Sequence, residues 1–488
     1  LVVFAALIAV PGPMVSAQTE SPWMPDQRIP GYRDDTFTPF LLADQNGYVH
    51  AFASQSSGDD SPVGIVYRKW SLESGWTTPV DILLSPSGDA AMPSAFLDSK
   101  GTLHLVFYSG NQDGANIFYS SAPVESAGSI QAWSAPTIIG DNAVGPPYAA
   151  LTGDDAGNLV MIYTGDIDGG GVYSTQSSDS GTTWSKPAPV YLVDNPDLIP
   201  FSLRLSPGRD GQVHAAWNVV TATGGDISLH YARFDFGTLQ WTAPILLNKI
   251  LPSAADSFGP SYPSVADNGS EVIVMYNNGN PFPSQRAGLG RPIQMVSLSK
   301  DNGDTWEPPT VPFIRLEGRS GEHVLVQDSD NIVHALFVQR TAGGSEVLGG
   351  IWESEYQNGF WSDPNRFVPT YSAHDLRAVV SQGNVLLMAW RLDPGVGQKG
   401  IWYTYKILDS KELPIASYPT HPPDASVQAE PTVALVPTAT RTPIPKELLN
   451  QPRSGVSNPG SSIDFGILTV SLILLVIVVL FAKSRSRQ

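Results

Sequence analysis

Residues 177–184 read Ser-Ser-Asp-Ser-Gly-Thr-Thr-Trp, and residues 299–306 read Ser-Lys-Asp-Asn-Gly-Asp-Thr-Trp. The two octets share Ser177/Ser299, Asp179/Asp301, Gly181/Gly303, Thr183/Thr305 and Trp184/Trp306. Each lies between two strand-like runs. A short acidic side chain can accept bonds from nearby backbone N–H groups, and glycine supplies the positive φ of a tight turn. The threonine then leads into a new strand, and the indole offers a large apolar face to fix the hairpin. The octets read as structural turns.

Working outward, a half-unit of Pro, alternating apolar residues, an Asp/Gly turn and an apolar strand recurs from Pro39, Pro93, Pro147, Pro200 and Pro263. It returns, more worn, from Glu322 and Asp375. A second half-unit, an aromatic strand, a turn and a Trp, is marked by Trp76, Trp133, Trp184, Trp241, Trp306 and Trp361, spaced 57, 51, 57, 65 and 55 residues apart. That spacing fits four short strands per unit, and such units arranged in a ring form a β-propeller with few exposed edges. Seven first halves meet only six second halves. The missing outer strand is found at residues 23–30, Trp-Met-Pro-Asp-Gln-Arg-Ile-Pro, which are similar to Trp-Ser-Asp-Pro-Asn-Arg-Phe-Val at 361–368. An all-β propeller of seven four-stranded blades, closed by the N-terminal strand, is expected over residues 18–408.

The octets and the repeat resemble the Asp-box (BNR) repeat of the sialidase superfamily. In that family the turn is structural and lies away from the active centre. Arg28-Ile29-Pro30 is similar to the motif that carries a substrate arginine in sialidases. A closing outer strand would instead put Arg28 at the rim, and active sialidases have six blades. The resemblance therefore implies the repeat without that arginine.

Composition narrows the classes. The 45 glycines and 42 prolines suit many turns, and a formal charge of −18 without a Lys/Arg stripe argues against nucleic acid. The chain has no cysteine, which excludes disulfides and thiolate chemistry and favours a bacterial envelope for an exported protein. Residues 1–17 read as the remainder of a signal peptide: an apolar run, then Val15-Ser16-Ala17. Residues 409–463, rich in Pro, Thr and Ser, read as an extended stalk. Residues 464–482 read as one transmembrane helix: the stretch 465–482 carries no charge and spans about 27 Å. The basic tail 483–488 then lies in the cytoplasm and the propeller outside the cell membrane.

In propellers the loop entering each blade and the loop between its second and third strands surround the axis on one face. That face collects Arg33, Asp34 and Asp35 at blade 1, Glu322 and His323 at blade 6, and His374, Arg377 and Arg391 at blade 7. The insertion at 277–292 adds Arg286 and Arg291 as candidate ligand contacts. Four further histidines, His50, His104, His214 and His334, recur at one blade position, a pattern expected of structure rather than catalysis. Asp166 and Asp168 precede three glycines, which suits a turn or a calcium loop; no other cofactor is indicated. The expected function is a surface module that binds carbohydrate or a surface protein. The alternative implied by the resemblance is an exo-acting glycoside hydrolase of sialidase type. It would use Arg33, Arg377 and Arg391 for a carboxylate, Asp34 or Asp35 as proton donor, and Tyr371 with Glu322 as nucleophile.

Overall fold

The computed structural model describes residues 22–419, apart from 35, 57, 59–61, 112–113, 145–148, 251–257, 280–291, 317–318, 341–348, 371–372 and 393–398. The proposed signal peptide, transmembrane helix and basic tail lie outside the described residues, as does most of the stalk. Among the described residues, no helix is long and apolar enough to cross a membrane.

Seven antiparallel sheets follow one another along the chain, so the fold is a seven-bladed β-propeller. Blades 1 to 6 begin with the inner strands Phe40–Ala43, Asp89–Leu97, Ala149–Gly153, Leu198–Pro207, Ser261–Asp267 and Arg319–Gln327, and blade 7 with Ala373–Ser381. The second strand of each blade is sandwiched between neighbouring blades, which is why it reads as an unbroken apolar run. Leu159, Val160, Met161, Ile162 and Tyr163 of blade 3 have no exposed surface. Outer strands alternate and leave Ile138, Leu192 and Leu246 in solvent.

In blades 1, 4 and 6 a proline follows the marker Trp by three residues: Trp76 and Pro79, Trp241 and Pro244, Trp361 and Pro364. Proline cannot donate to the ladder, so Pro79, Pro244 and Pro364 interrupt the outer strands of blades 1, 4 and 6. Blade 1 resumes from Gly75–Trp76 at Val80–Leu83, blade 4 from Gln240–Trp241 at Ile245–Lys249, and blade 6 from Phe360–Trp361 at Asn365–Val368. Blade 5 has three strands, and its outer edge is a single bridge between Val296 and Thr310.

The N-terminal strand Gln27–Arg28 is the outer strand of blade 7, with Gln27 opposite Tyr403 and Arg28 opposite Trp402. Flanking residues extend the closure over three blades. Trp23 stacks on Phe367 of blade 6 at 4.1 Å and donates its indole N–H to Glu353 Oε2 at 2.9 Å. Ile29 is fully buried. On the blade 1 side, the buried Arg68 guanidinium donates to the carbonyls of Pro30 and Thr77 and lies between the rings of Tyr32 and Trp76. Beyond the last strand, Leu413 N–H bonds to Gln382 O and Ala416 N–H to Gln45 O, so the chain runs on against blades 7 and 1.

The two octets close as turns. Ser177 Oγ donates to Asp179 Oδ1 at 2.8 Å, and Asp179 accepts the backbone and hydroxyl protons of Thr183 at 2.8 and 2.6 Å. Ser299, Asp301 and Thr305 repeat these distances. Each turn also fastens its blade to the preceding one. Trp184 meets Tyr119 edge-on at 5.1 Å, and Trp306 meets Tyr231 at 4.7 Å. Gly303 has φ +90°, and a Cβ there would stand 1.9 Å from Tyr231 Oη. That hydroxyl cannot retreat, because it is bonded to buried His214 at 2.7 Å. Gly303→Ala is therefore expected to cost about 2–4 kcal/mol, combining left-handed strain with overpacking. A chemical denaturation midpoint equal to that of the parent protein would refute this.

The repeating histidines form the other contact between strands and turns. Tyr67, Tyr119 and Tyr231 donate to Nδ1 of His50, His104 and His214. Each opposite Nε2–H points to a buried carboxylate, Asp44, Asp98 or Asp267. These imidazoles are wholly buried and structural. Blade 6 breaks the pattern. Where the other blades place tyrosine, the register puts Glu353, two residues before the partner of His334. His334 Nδ1 then has carboxylate oxygens of Glu353 and Glu355 3.5 Å away, and although burial acts downward, Asp328 at Nε2 and these two glutamates raise the ring's pKa overall. Lys406 of blade 7 completes the cluster at 2.7 Å from Glu353.

Candidate functional site: the axial mouth

Among the described residues, five inner strands are bulged as they enter the ring. The register shifts between Ala91 and Ser94, Phe201 and Arg204, Ser261 and Ser264, Ser320 and His323, and His374 and Arg377. In four of them a non-glycine residue adopts the left-handed region: Met92 (φ +49°), Ser202 (+52°), Tyr262 (+52°) and Asp375 (+53°). Each is a local cost of about 1–3 kcal/mol, and bulges of this kind re-aim side chains beside functional sites. The side chains re-aimed here line a cavity of about 390 Å³ on the ring axis and its mouth.

Three guanidinium groups stand in that mouth, from Arg204, Arg377 and Arg391, with Phe37, Met92, Phe201 and Tyr262 as apolar wall. Arg204 and Arg377 are built alike: each follows a left-handed residue and a leucine, and each donates Nη1–H to that leucine's carbonyl, at 3.0 and 3.2 Å. Arg391 lies 4.7 Å over the ring of Phe37. The carboxylates beside them are committed. Asp375 pairs with Arg377 at 2.9 Å and accepts the N–H of Thr38 at 3.1 Å. Glu322 accepts the N–H of Asp375, and its other oxygen lies 3.7 Å from His374 Nδ1, which is itself 3.1 Å from Arg340. Burial alone would raise the Glu322 pKa. The His374 bond and charge, with Arg340 and the Asp375 N–H, more than offset it and hold the carboxyl below its ordinary value. His323 donates Nε2–H to Met275 O at 2.9 Å, and burial depresses its pKa to about 4, so the ring is neutral.

The structure thus brings together Glu322, His323, Arg377 and Arg391, with His374 beside them. Arg33 lies off the cavity wall, its backbone N–H bonded to Gln55. Asp34 is 57 % exposed and paired with Arg28 at 2.5 Å; both are at the blade rim. Asp35, Tyr371, Arg286 and Arg291 lie outside the described residues. Asp166 and Asp168 belong to the hairpin of blade 3, where the Asp168 N–H donates to Tyr173 Oη. Among the described residues, the carboxyl whose pKa burial lifts to about 7 is Asp226. It stands one layer back, bonded to Asn218, the strand partner of Phe201.

Arg204, Arg340 and Tyr262 escaped the sequence reading. For Arg204 a signal existed. A polar residue, a leucine and an arginine run in succession near the start of both first half-units, as Ser202-Leu203-Arg204 and Asp375-Leu376-Arg377.

No protein-family model matches the chain, and no curated protein matches it. Solved structures do. A polysaccharide lyase, ulvan lyase, superposes with TM-score 0.51 at 12% identity, over 78% of this chain and 96% of the other. The same enzyme bound to -[GlcA(1-4)Rha3S]- gives the same values. A protein of unknown function from Dyadobacter fermentans gives 0.47 at 16% identity, covering 80% and 100%. An α-L-arabinanase of Penicillium chrysogenum gives 0.43 at 14%, covering 79% and 98%. The shared property is the propeller fold, and its solved neighbours include carbohydrate-active enzymes.

Proposed function

We propose that this propeller is a carbohydrate-binding module whose axial mouth holds an anionic sugar unit. Its C-terminal segment would tether it outside a bacterial membrane. The observation that carries the reading is three guanidiniums lining one cavity in a chain of net charge −18. An anion approaching so acidic a protein needs a local cationic pocket, and guanidinium forks are suited to carboxylate and sulfate. The aromatic and methionine wall offers a face for sugar C–H groups. The acidic saccharide seen with ulvan lyase is in keeping with such a ligand on this fold.

Binding is preferred to sialidase-type hydrolysis because, among the described residues, the carboxylates at the mouth are engaged, Asp375 with Arg377 and Glu322 with the Asp375 N–H. Glu322 is held ionised, and the carboxyl that titrates near neutrality, Asp226, lies behind the wall. General acid catalysis needs a carboxyl that keeps its proton at working pH.

The test is calorimetric titration of the propeller with glucuronate and N-acetylneuraminate against neutral glucose. Binding of the acids alone is expected, weakening with salt. Arg377→Ala and Arg391→Ala should each lower affinity about tenfold to a hundredfold, the range of a charge-assisted bond. Equal binding of glucose would overturn the reading. So would turnover of a fluorogenic sialoside between about pH 4 and pH 8 that vanishes in Arg377→Ala.

A further inference from the structure

Blade 6 carries a second polar cluster, at the end of its strands away from the bulge. His334 pairs with Val326 on one side and Glu355 on the other, whereas the bulge falls between Ser320 and His323. Glu353 and Glu355 are alternate residues of one strand, so their side chains share a face beside His334. Oε1 of each glutamate stands 3.5 Å from His334 Nδ1, and the three atoms lie within 4.8 Å of one another. Asp328 Oδ2 takes the Nε2 proton of the same ring at 3.2 Å, a tautomer that leaves a lone pair on Nδ1. In blades 1, 2 and 4 the matching nitrogen receives a tyrosine O–H at 2.7 to 2.8 Å. Blade 6 lacks that donor. Nδ1 has no hydrogen-bond partner among the described residues, although His334 is only 1 % exposed.

A lone pair aimed at two carboxylate oxygens calls for a cation between them. A tetrahedral ion about 2.1 Å from each ligand sets its ligands about 3.4 Å apart, which both 3.5 Å separations fit. The charges agree. With the ring neutral, the cluster holds three carboxylates, of Asp328, Glu353 and Glu355, against the Lys406 ammonium, which is 2.7 and 3.5 Å from the two glutamates. The excess of two negative charges is what one divalent ion cancels. An imidazole with two carboxylates suits zinc, whereas calcium and magnesium prefer oxygen alone. Asp328 stands where an outer carboxylate orients a metal-bound imidazole. The Glu355 side chain is 34 % exposed and gives the ion a way in from solvent.

We propose that His334, Glu353 and Glu355 form a structural site for a divalent transition-metal ion of the zinc type. The other oxygen of Glu353 accepts the indole N–H of Trp23 at 2.9 Å, and Lys406 belongs to the last strand, Gly400–Ile407. The ion thus fastens blade 6 to the segment and the strand that close the ring. It does in blade 6 what the tyrosine hydroxyl does in the other three, and it is independent of the anion reading of the mouth.

The experiment strips the full chain with a chelator and titrates it with zinc chloride alone. The melting temperature is expected to rise by roughly 3–6 °C at about a hundredfold excess over Kd. Calcium and magnesium should give no such rise. Glu355→Gln keeps the shape of the half-exposed ligand and should weaken zinc at least about tenfold. The quantity compared is the shift on adding zinc, so a variant with a lower starting temperature is still informative. Lys406→Met removes the competing ammonium; zinc should bind it more tightly than the parent and restore stability that the substitution costs. No shift in the parent protein overturns the site. An equal zinc shift in Glu355→Gln, as from an ion bound elsewhere, also overturns it, and so does an equal response to calcium.

Discussion

A protein lacking residues 18–30 is expected to lose its cooperative fold. The deletion bares the edge of Gly400–Ile407 along its whole length, and exposed edges invite pairing between molecules. It also strips Arg68 of the Pro30 carbonyl, removes buried Ile29 from between blades 7 and 1, and takes the indole N–H away from Glu353. Domains of this kind retain only about 5–15 kcal/mol of stability, and losing buried Ile29, the stacking of half-buried Trp23 and a carbonyl partner of Arg68 together consumes most of that. The expected result is aggregated protein with no sharp thermal transition. A peptide of residues 18–32 supplied in trans should restore a monomeric, cooperatively melting species. A truncated protein that melts within a few degrees of the parent would show that the ring is held by blade contacts alone.

Glu353→Ala should be the most damaging single substitution. Lys406 is only 5 % exposed, and its closest carboxylate is Glu353, which also stands 3.5 Å from His334 Nδ1. Removing one member of a buried pair leaves the other charge uncompensated, at a cost of about 3–5 kcal/mol. The loss should vary with pH. Burial would raise the Glu353 pKa, but His334 and Lys406 outweigh it and depress the folded value. Its contribution is therefore complete above the unfolded carboxyl pKa of about 4.3 and disappears as pH falls through the folded pKa. For His334 burial acts downward, yet Asp328 and Glu353 raise the folded pKa overall. That contribution is complete below about pH 6.5 and is lost as pH rises through the raised value. Denaturation at about pH 3, 5.5 and 8 should show the widest gap between parent and variant at the middle value. A gap as wide in acid as at the middle pH would show that Glu353 acts by packing rather than by charge.

The two halves of this protein's organisation were unequally legible. The ring was readable because its determinants are local and repeated. Trp76, Trp241 and Trp361 stand three residues before a ladder-breaking proline, and the shortfall of one second half pointed to Trp23 as the missing strand. The histidines were readable as structure for the same reason, since His50, His104, His214 and His334 recur at one position of the second strand in four blades. The mouth was not. Its bulges turn on Met92, Ser202, Tyr262 and Asp375, residue types that do not advertise a left-handed backbone as glycine does. Arg377 and Arg391 were picked as charged loop residues, whereas both belong to strands, and Arg204 hid in what reads as an ordinary apolar run. Glu353 was invisible until the register set it in the place of a tyrosine.

The bulges also separate two kinds of freedom. Behind each one, the inner strand returns to regular pairing with its neighbour, so the ladder accommodates different side chains at the bulge. A methionine, a serine, a tyrosine and an aspartate already occupy that position within this one chain. Exchanging such a residue would alter what the ring selects while the seven blades stay as they are. The bulged positions behave as a set of interchangeable heads on a fixed frame.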